Sequence, residues 1–271
     1  MKTKMKFSKQ ILSVLLCLAM LISYVPVFSL TASAATVDVW DGTTASQAWD
    51  SGSGTEADPY IIMTAAQLAK LAADVNSGTD YSGTYFKLGA DLDLGGSDRT
   101  WTPIGDATYT FKGNFNGDGK TISNMYAYGK NTNNKTYGYR ALFGNITGGT
   151  IENFTLASPS STGAWGYIAA AVAYGSGATV KNIIITNPKV TTQKSSKGFA
   201  GGVVGHIADG VIENCKIVSG TIDSKFKCTG GVVGYATDAQ ISGCSVKDVT
   251  ISSTSQYVGG IVGQLQYTDG I

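Results

Sequence analysis

The chain of 271 residues holds one histidine, His206, and two arginines, Arg99 and Arg140. One histidine, with no Cys-x-x-Cys pair beside it, cannot supply the His and Cys set of a zinc site. Two arginines cannot build the basic stripe with guanidinium forks that nucleic acids require, which excludes them as partners. Long apolar runs are missing too. The stretch from Ile11 is broken by Ser13, Ser23, Tyr24 and Pro26, whereas a membrane span needs about 20 apolar residues in a row. Cysteine is scarce: beyond Cys17 there are only Cys215, Cys228 and Cys244, and an odd set cannot be fully paired within one chain.

What is present begins with a leader. Lys2, Lys4, Lys6 and Lys9 precede the apolar stretch, and Ala32-Ser33-Ala34-Ala35 closes it. This is the pattern of a secretory signal peptide over 1–35, cleaved after Ala34 or Ala35, which predicts export with no membrane span after cleavage. Without the four leader lysines, the 20 basic and 19 acidic residues become 16 and 19, a mild negative balance. A polar stretch, 36–56, reads as a linker. The segment 57–110 then opens with Pro59-Tyr60-Ile61-Ile62 and one helix. Thr64 and Gln67 have capping-box spacing, Leu68, Leu71, Ala72 and Val75 form an apolar stripe, and Asn76-Ser77-Gly78 supplies the stop. This helix is expected to cover the open end of a core built of strands. Tyr85–Leu88 and Asp91–Leu94 alternate as strands do.

From 111 to 271 the chain repeats. Gly201-Gly202-Val203-Val204-Gly205 returns after 29 residues as Gly230-Gly231-Val232-Val233-Gly234, and again as Gly259-Gly260-Ile261-Val262-Gly263. A second block, Ile-x-Asn-apolar-x-apolar, recurs around Asn124, Asn153, Asn182 and Asn214, with Gly243 next in line. A period in this range means stacked units that bury their apolar faces against one another. Within the block a three-residue step is followed by a two-residue step, so an extra residue must be absorbed at a bend. Asn, and Gly243 in its place, tolerates the left-handed backbone such a bend needs. The expected fold is all-β: a right-handed parallel β-helix of ~29-residue coils, about six turns and ~30 Å long, with an N-terminal capping α-helix and an Asn ladder up one corner. Glu152, Lys181, Glu213 and Ser242 fall on one outward column, where opposite charges on adjacent rungs favour this register. Cys215 and Cys244 share a repeat position one turn apart. Their Cα spacing fits a disulfide, but parallel side chains hold the Cβ atoms too far apart, and buried free thiols are expected.

The Gly-Gly-apolar-Val-Gly blocks and the degenerate Ala141-Leu142-Phe143-Gly144 resemble the GLUG motif of bacterial surface proteins, among them IgA-peptidase-like proteins and haemagglutinin-type adhesins. The resemblance covers about 55–271, although Tyr167–Ala173 carries alanines where the glycines belong. It implies a pectin-lyase-like β-helix displayed outside the cell. The zinc-protease His-Glu-x-x-His of the peptidase relatives is not found in the chain. Some pectin-lyase-like proteins act on polysaccharides, for which the densest acidic group is Asp91, Asp93 and Asp98 beside Arg99. Asp91 and Asp93 alternate with leucines, as on a solvated strand face, so no catalytic residue, metal or cofactor is assigned.

The positions that vary are the candidates for binding. Tyr174, His206 and Tyr235 follow successive repeat glycines and are expected to form an outward column at one turn, able to stack on sugar rings or on a partner protein. The function expected is adhesin-like binding and display, with glycans or host and cell-surface proteins as partners. The alternatives are a polysaccharide-binding or polysaccharide-degrading β-helix, or the opening part of a longer surface protein. The last draws on the chain stopping at Ile271, before the next Ile-x-Asn block would begin.

Overall fold

Every rung of this molecule is made by strands that pair only with their equivalents one coil away. The computed structural model describes residues 37–44, 49–129, 138–193, 196–254 and 256–268; the leader reading falls outside them. One sheet runs seven strands deep along its main path and three others are five strands deep. All ladders between these strands are parallel, and the fold is an all-β parallel solenoid of about seven turns. That is one turn more than the repeat count alone suggests, because Tyr60–Ile62 and Tyr85–Leu88 already stack as rungs.

A full coil has four walls. The first holds Phe143–Thr147, Val172–Ser176, Val204–Ala208, Val233–Thr237 and Val262–Gln266. The second, the long wall, holds Thr150–Ala157 and Thr179–Thr186, split in later coils at the Asn bend. The third holds Ser160–Gly163 and Lys189–Thr192, and the fourth Gly166–Ile168, Ser196–Gly201 and Phe226–Gly230. Ile151, Phe154 and Leu156 point inward and Glu152 and Thr155 outward, as the apolar spacing requires.

Three columns of left-handed residues turn the coil, where the sequence reading had one. The first is Asn153, Asn182, Asn214 and Gly243, with φ of 60°, 54°, 54° and 62°. The second is Asn124, Ser158, Asn187, Ser219 and Asp248, and the third Gly148, Gly177, Asp209 and Asp238. These are the residue types that adopt φ > 0 at least cost. Asn124 therefore leaves the expected ladder. Ile122 pairs with Leu156, which sets Asn124 beside Ser158 rather than Asn153; its 29-residue distance to Asn153 is a coincidence of an early coil of unequal length. The ladder itself is short. Asn182 Nδ2 donates to Asn153 Oδ1 at 2.9 Å and Asn153 Nδ2 to Asn116 Oδ1 at 3.4 Å, but Asn214 turns to Glu213 and Asn124 to Asp93.

The helix, α1, spans Ala65–Asn76. Gln67 N–H donates to Thr64 Oγ1 at 3.2 Å, and Gln67 Oε1 accepts from Thr64 and Met63 N–H at 3.2 and 2.7 Å. Its stripe, Leu68, Leu71, Ala72 and Val75, lies within the main core. Asn76 ties the helix to the next coil, donating to Pro103 O and accepting from Gly105 N–H, both at 3.0 Å. The polar stretch before it contributes to the core as well. Trp40 is buried edge-on against Trp101, and Trp49 meets Phe86 at 5.1 Å. Two tryptophans outweigh the polar residues around them, since each has a large apolar area to bury.

Candidate functional site

The repeat glycines shape the outside of the rod as much as its inside. At Gly201 a Cβ would run into the carbonyl oxygen of Val204, and at Gly230 into that of Val233. In these two coils the fourth wall therefore meets the first through a bend that leaves no room for a side chain. In the coil before, Ala169 and Ala173 take the places of Gly201 and Gly205 and join Ala141 in a small buried cluster under Tyr139 and Tyr167. A floor of small residues lets the outward side chains of two walls converge above it.

Those side chains are aromatic. The first wall contributes Asn145, Tyr174, His206, Tyr235 and Gln264 in register. The fourth contributes Tyr139, Tyr167, Phe199, Cys228 and Tyr257. Tyr174, His206 and Tyr235 do form one column, but on strands rather than at a turn: the residue after the closing glycine is already hydrogen-bonded into the next wall. Across the two columns ring centroids lie 5.1 Å apart for Tyr167 and Tyr174, 5.1 Å for Phe199 and His206, and 4.7 Å for Phe199 and Tyr235. The partners Tyr139, Tyr167 and Phe199 went unrecognised in the sequence because the Gly-Gly block separates them from Tyr174 and His206. Their signal was the aromatic two residues before the small-residue blocks at Ala141, Ala169 and Gly201.

The band is half-buried, and its rings cover one another. Tyr167 and Phe199 stack within 20° and Phe199 and Tyr235 within 13°. In the middle of the band the faces of Tyr167, Phe199 and Tyr235 are turned on one another, and the Tyr235 hydroxyl donates to Gln266 Oε1 at 2.6 Å. His206 sits at its centre. Nδ1 is buried with no hydrogen-bond partner, and Nε2 lies 3.4 Å from Thr237 Oγ1. Burial pushes its pKa down to about 4, so the imidazole is neutral at neutral pH. The group beside Nε2 is a hydroxyl, not the carboxylate that would orient a base.

The acidic group is spent on structure. Asp93 accepts from Asn124 Nδ2 at 3.0 and 3.1 Å and from Gly95 N–H at 2.9 Å, and Asp91 accepts from Thr121 N–H at 2.8 Å. Arg99 donates to the carbonyl of Asp98 at 2.9 Å. Among the described residues no three His, Cys, Asp or Glu side chains gather as metal ligands. Cys215, Cys228 and Cys244 are free thiols. The Cys215 thiol donates to the carbonyls of Glu213 at 3.5 Å and Val180 at 3.7 Å, and the neighbouring Cys244 thiol, followed by burial, pushes its pKa up.

The glycine bend decides the kinship. Residues 227–252, one coil from the fourth wall round to the third, match the GLUG motif. The chain carries a GLUG repeat. Gly201–Gly205 and Gly259–Gly263 occupy the same rungs of the same bend, one coil either side. The chain is similar to parts of two long proteins. Halomucin of Haloquadratum walsbyi is 32% identical over 166 residues, covering 58% of this chain and 2% of that protein. A provisionally named Gly-rich membrane protein of Evansella cellulosilytica is 35% identical over 113 residues, covering 39% of this chain and 12% of that protein. The chain thus spans only a small part of the relatives it matches. Among solved structures, a protein from Bacteroides ovatus provisionally assigned as an immunoglobulin A1 protease covers 80% of this chain and 76% of its own, with 22% identity and a TM-score of 0.49.

Proposed function

We propose that the chain belongs to an extracellular or cell-surface protein in which the GLUG solenoid is a non-catalytic, adhesin-like rod for binding and display. The aromatic band is its contact surface. The observation that carries this reading is the convergence of six rings, Tyr139, Tyr167, Tyr174, Phe199, His206 and Tyr235, into one strip that is not part of the main core. Aromatic residues with apolar bodies and polar tips are favoured where one side meets a partner and the other water. Rings whose faces are turned on their neighbours suit a protein surface better than a sugar ring. Export is supported by the leader pattern, and surface display by the relatives, one of them named a membrane protein.

The absence of chemistry in this reading rests on His206, which is neutral, flanked by rings and oriented by a hydroxyl alone. The test is adhesion. Beads coated with the purified chain, offered to epithelial and bacterial cells, should be retained several-fold better than beads carrying Tyr174→Ser/Tyr235→Ser. Equal retention of both would overturn the assignment of the band.

A further inference from the structure

The outer face of the long wall carries a second feature, on a different wall from the two that make the aromatic band. A cleft of about 480 Å³ lies over the early coils, rimmed by the loop around Glu56 and Pro59. That volume falls within the ~300–1,000 Å³ range of small-ligand sites. Two axial columns make its floor. Tyr85 pairs with Asn114, which takes the N–H of Thr150 on its Oδ1 at 3.1 Å, and Lys87 pairs with Asn116, followed by Glu152 and Lys181. All of these side chains are half-buried.

The polar floor is already tied together. Lys181 Nζ lies 3.3 Å from Glu152 Oε2, and Asn116 Nδ2 donates to Glu152 Oε1 at 3.2 Å. Asn116 Oδ1 accepts from the Asp118 N–H at 2.7 Å, and Lys87 Nζ lies 3.0 Å from Asp118 Oδ2. A network running across four rungs fixes the rotamers before a ligand arrives, so binding loses little further side-chain entropy. Each lysine is paired with a carboxylate, which leaves no free cation for an acidic ligand. What remains is an aromatic ring beside amides, a carboxylate and a hydroxyl, spaced one rung (~4.8 Å) apart. Vicinal hydroxyl groups can both donate to and accept from such a set, while an apolar sugar face rests on the Tyr85 ring.

We propose that this cleft is a subsite for a neutral oligosaccharide lying along the rod axis. It is independent of the aromatic band, and either assignment can fail without the other. Saturation-transfer NMR and calorimetry on the full chain, with cellohexaose, xylohexaose, mannohexaose and maltohexaose as probes, should show saturable binding of at least one. Tyr85→Ala should weaken that binding about tenfold, Tyr85→Phe should preserve it, and Tyr174→Ser/Tyr235→Ser should leave it unchanged. Tyr85→Phe keeps the ring and so separates loss of the platform from loss of fold. Silence from all four probes would overturn the proposal. So would indifference to Tyr85→Ala, or equal competition by an oligogalacturonate.

Discussion

The early coils and the later ones solve the same packing problem with different side chains. In the early coils the interior is a relay of rings, with centroids 5.1–6.0 Å apart from Trp49 through Phe86, Phe111, Phe143 and Phe115 to Phe154. The later interior is mainly aliphatic, with Val180, Ile183, Val203, Ile217 and Val232, and holds Phe226 as a buried ring. Coil length follows this difference. Tyr60 pairs with Phe86, Phe86 with Phe115 and Phe115 with Ile151, steps of 26, 29 and 36 residues. Ile151 to Val180, Ile212 and Ile241 steps by 29, 32 and 29. The three extra residues of the middle step fall between Thr192 and Gly198, beside a register shift between Ser196 and Phe199 in the fourth wall. Interiors of equal volume allow equal coils; interiors of mixed ring size oblige the corners to absorb the mismatch.

The largest expected effect tests the ring relay. Phe115→Ala should cost about 3–5 kcal/mol, read as the shift in urea midpoint, because the cavity sits between two other rings. A cost no greater than that of an aliphatic truncation would erase the contrast between the two regions. Next comes pH. His206 is held below its usual range, so its stabilising contribution is full above about pH 6.5 and is lost as pH falls towards 4, by up to about 3 kcal/mol. Thermal melts across that range should steepen for the native chain and flatten for His206→Tyr, which copies Tyr174 and Tyr235. Gly230→Ala should cost about 1–3 kcal/mol by overpacking, since the methyl meets the Val233 carbonyl. The Ala169 bend shows that a coil built around methyls exists, so a neutral result in calorimetry would mean the glycine bend relaxes to that form. In the aliphatic region, Ile217→Val should cost about 0.5–1.5 kcal/mol in the same urea assay. Least of all, Lys181→Ala removes a half-exposed ion pair with Glu152 and should change stability by less than about 1 kcal/mol, an effect that vanishes in high salt.

The later coils were legible in the sequence because stacking itself constrains them. The 29-residue step, the Asn153–Asn182 bend, the capping box of α1 and the Tyr174–His206–Tyr235 column all follow from residues whose spacing is local and strict. The early coils were less legible, since unequal steps disguise register; Asn124 was misassigned for that reason. Trp40 and Trp49 were hidden by their polar surroundings. The second half of the aromatic band was hidden by the bend, which brings Phe199 against His206 and Tyr235 through a turn that a linear reading crosses without seeing. The cleft above Asn116 and Glu152 depends on coils joined across a step of 36 residues, and no period points to it.

All four walls direct their backbone hydrogen bonds along the rod, from one coil to the next. A pull on the two ends therefore strains these bonds head-on and opens coils in succession rather than shearing whole sheets at once. Each regular coil of 29 residues would release about 100 Å of extended chain at ~3.4 Å per residue. Stretched single molecules should then lengthen in steps of that size, and a tether built this way lets out slack before it lets go.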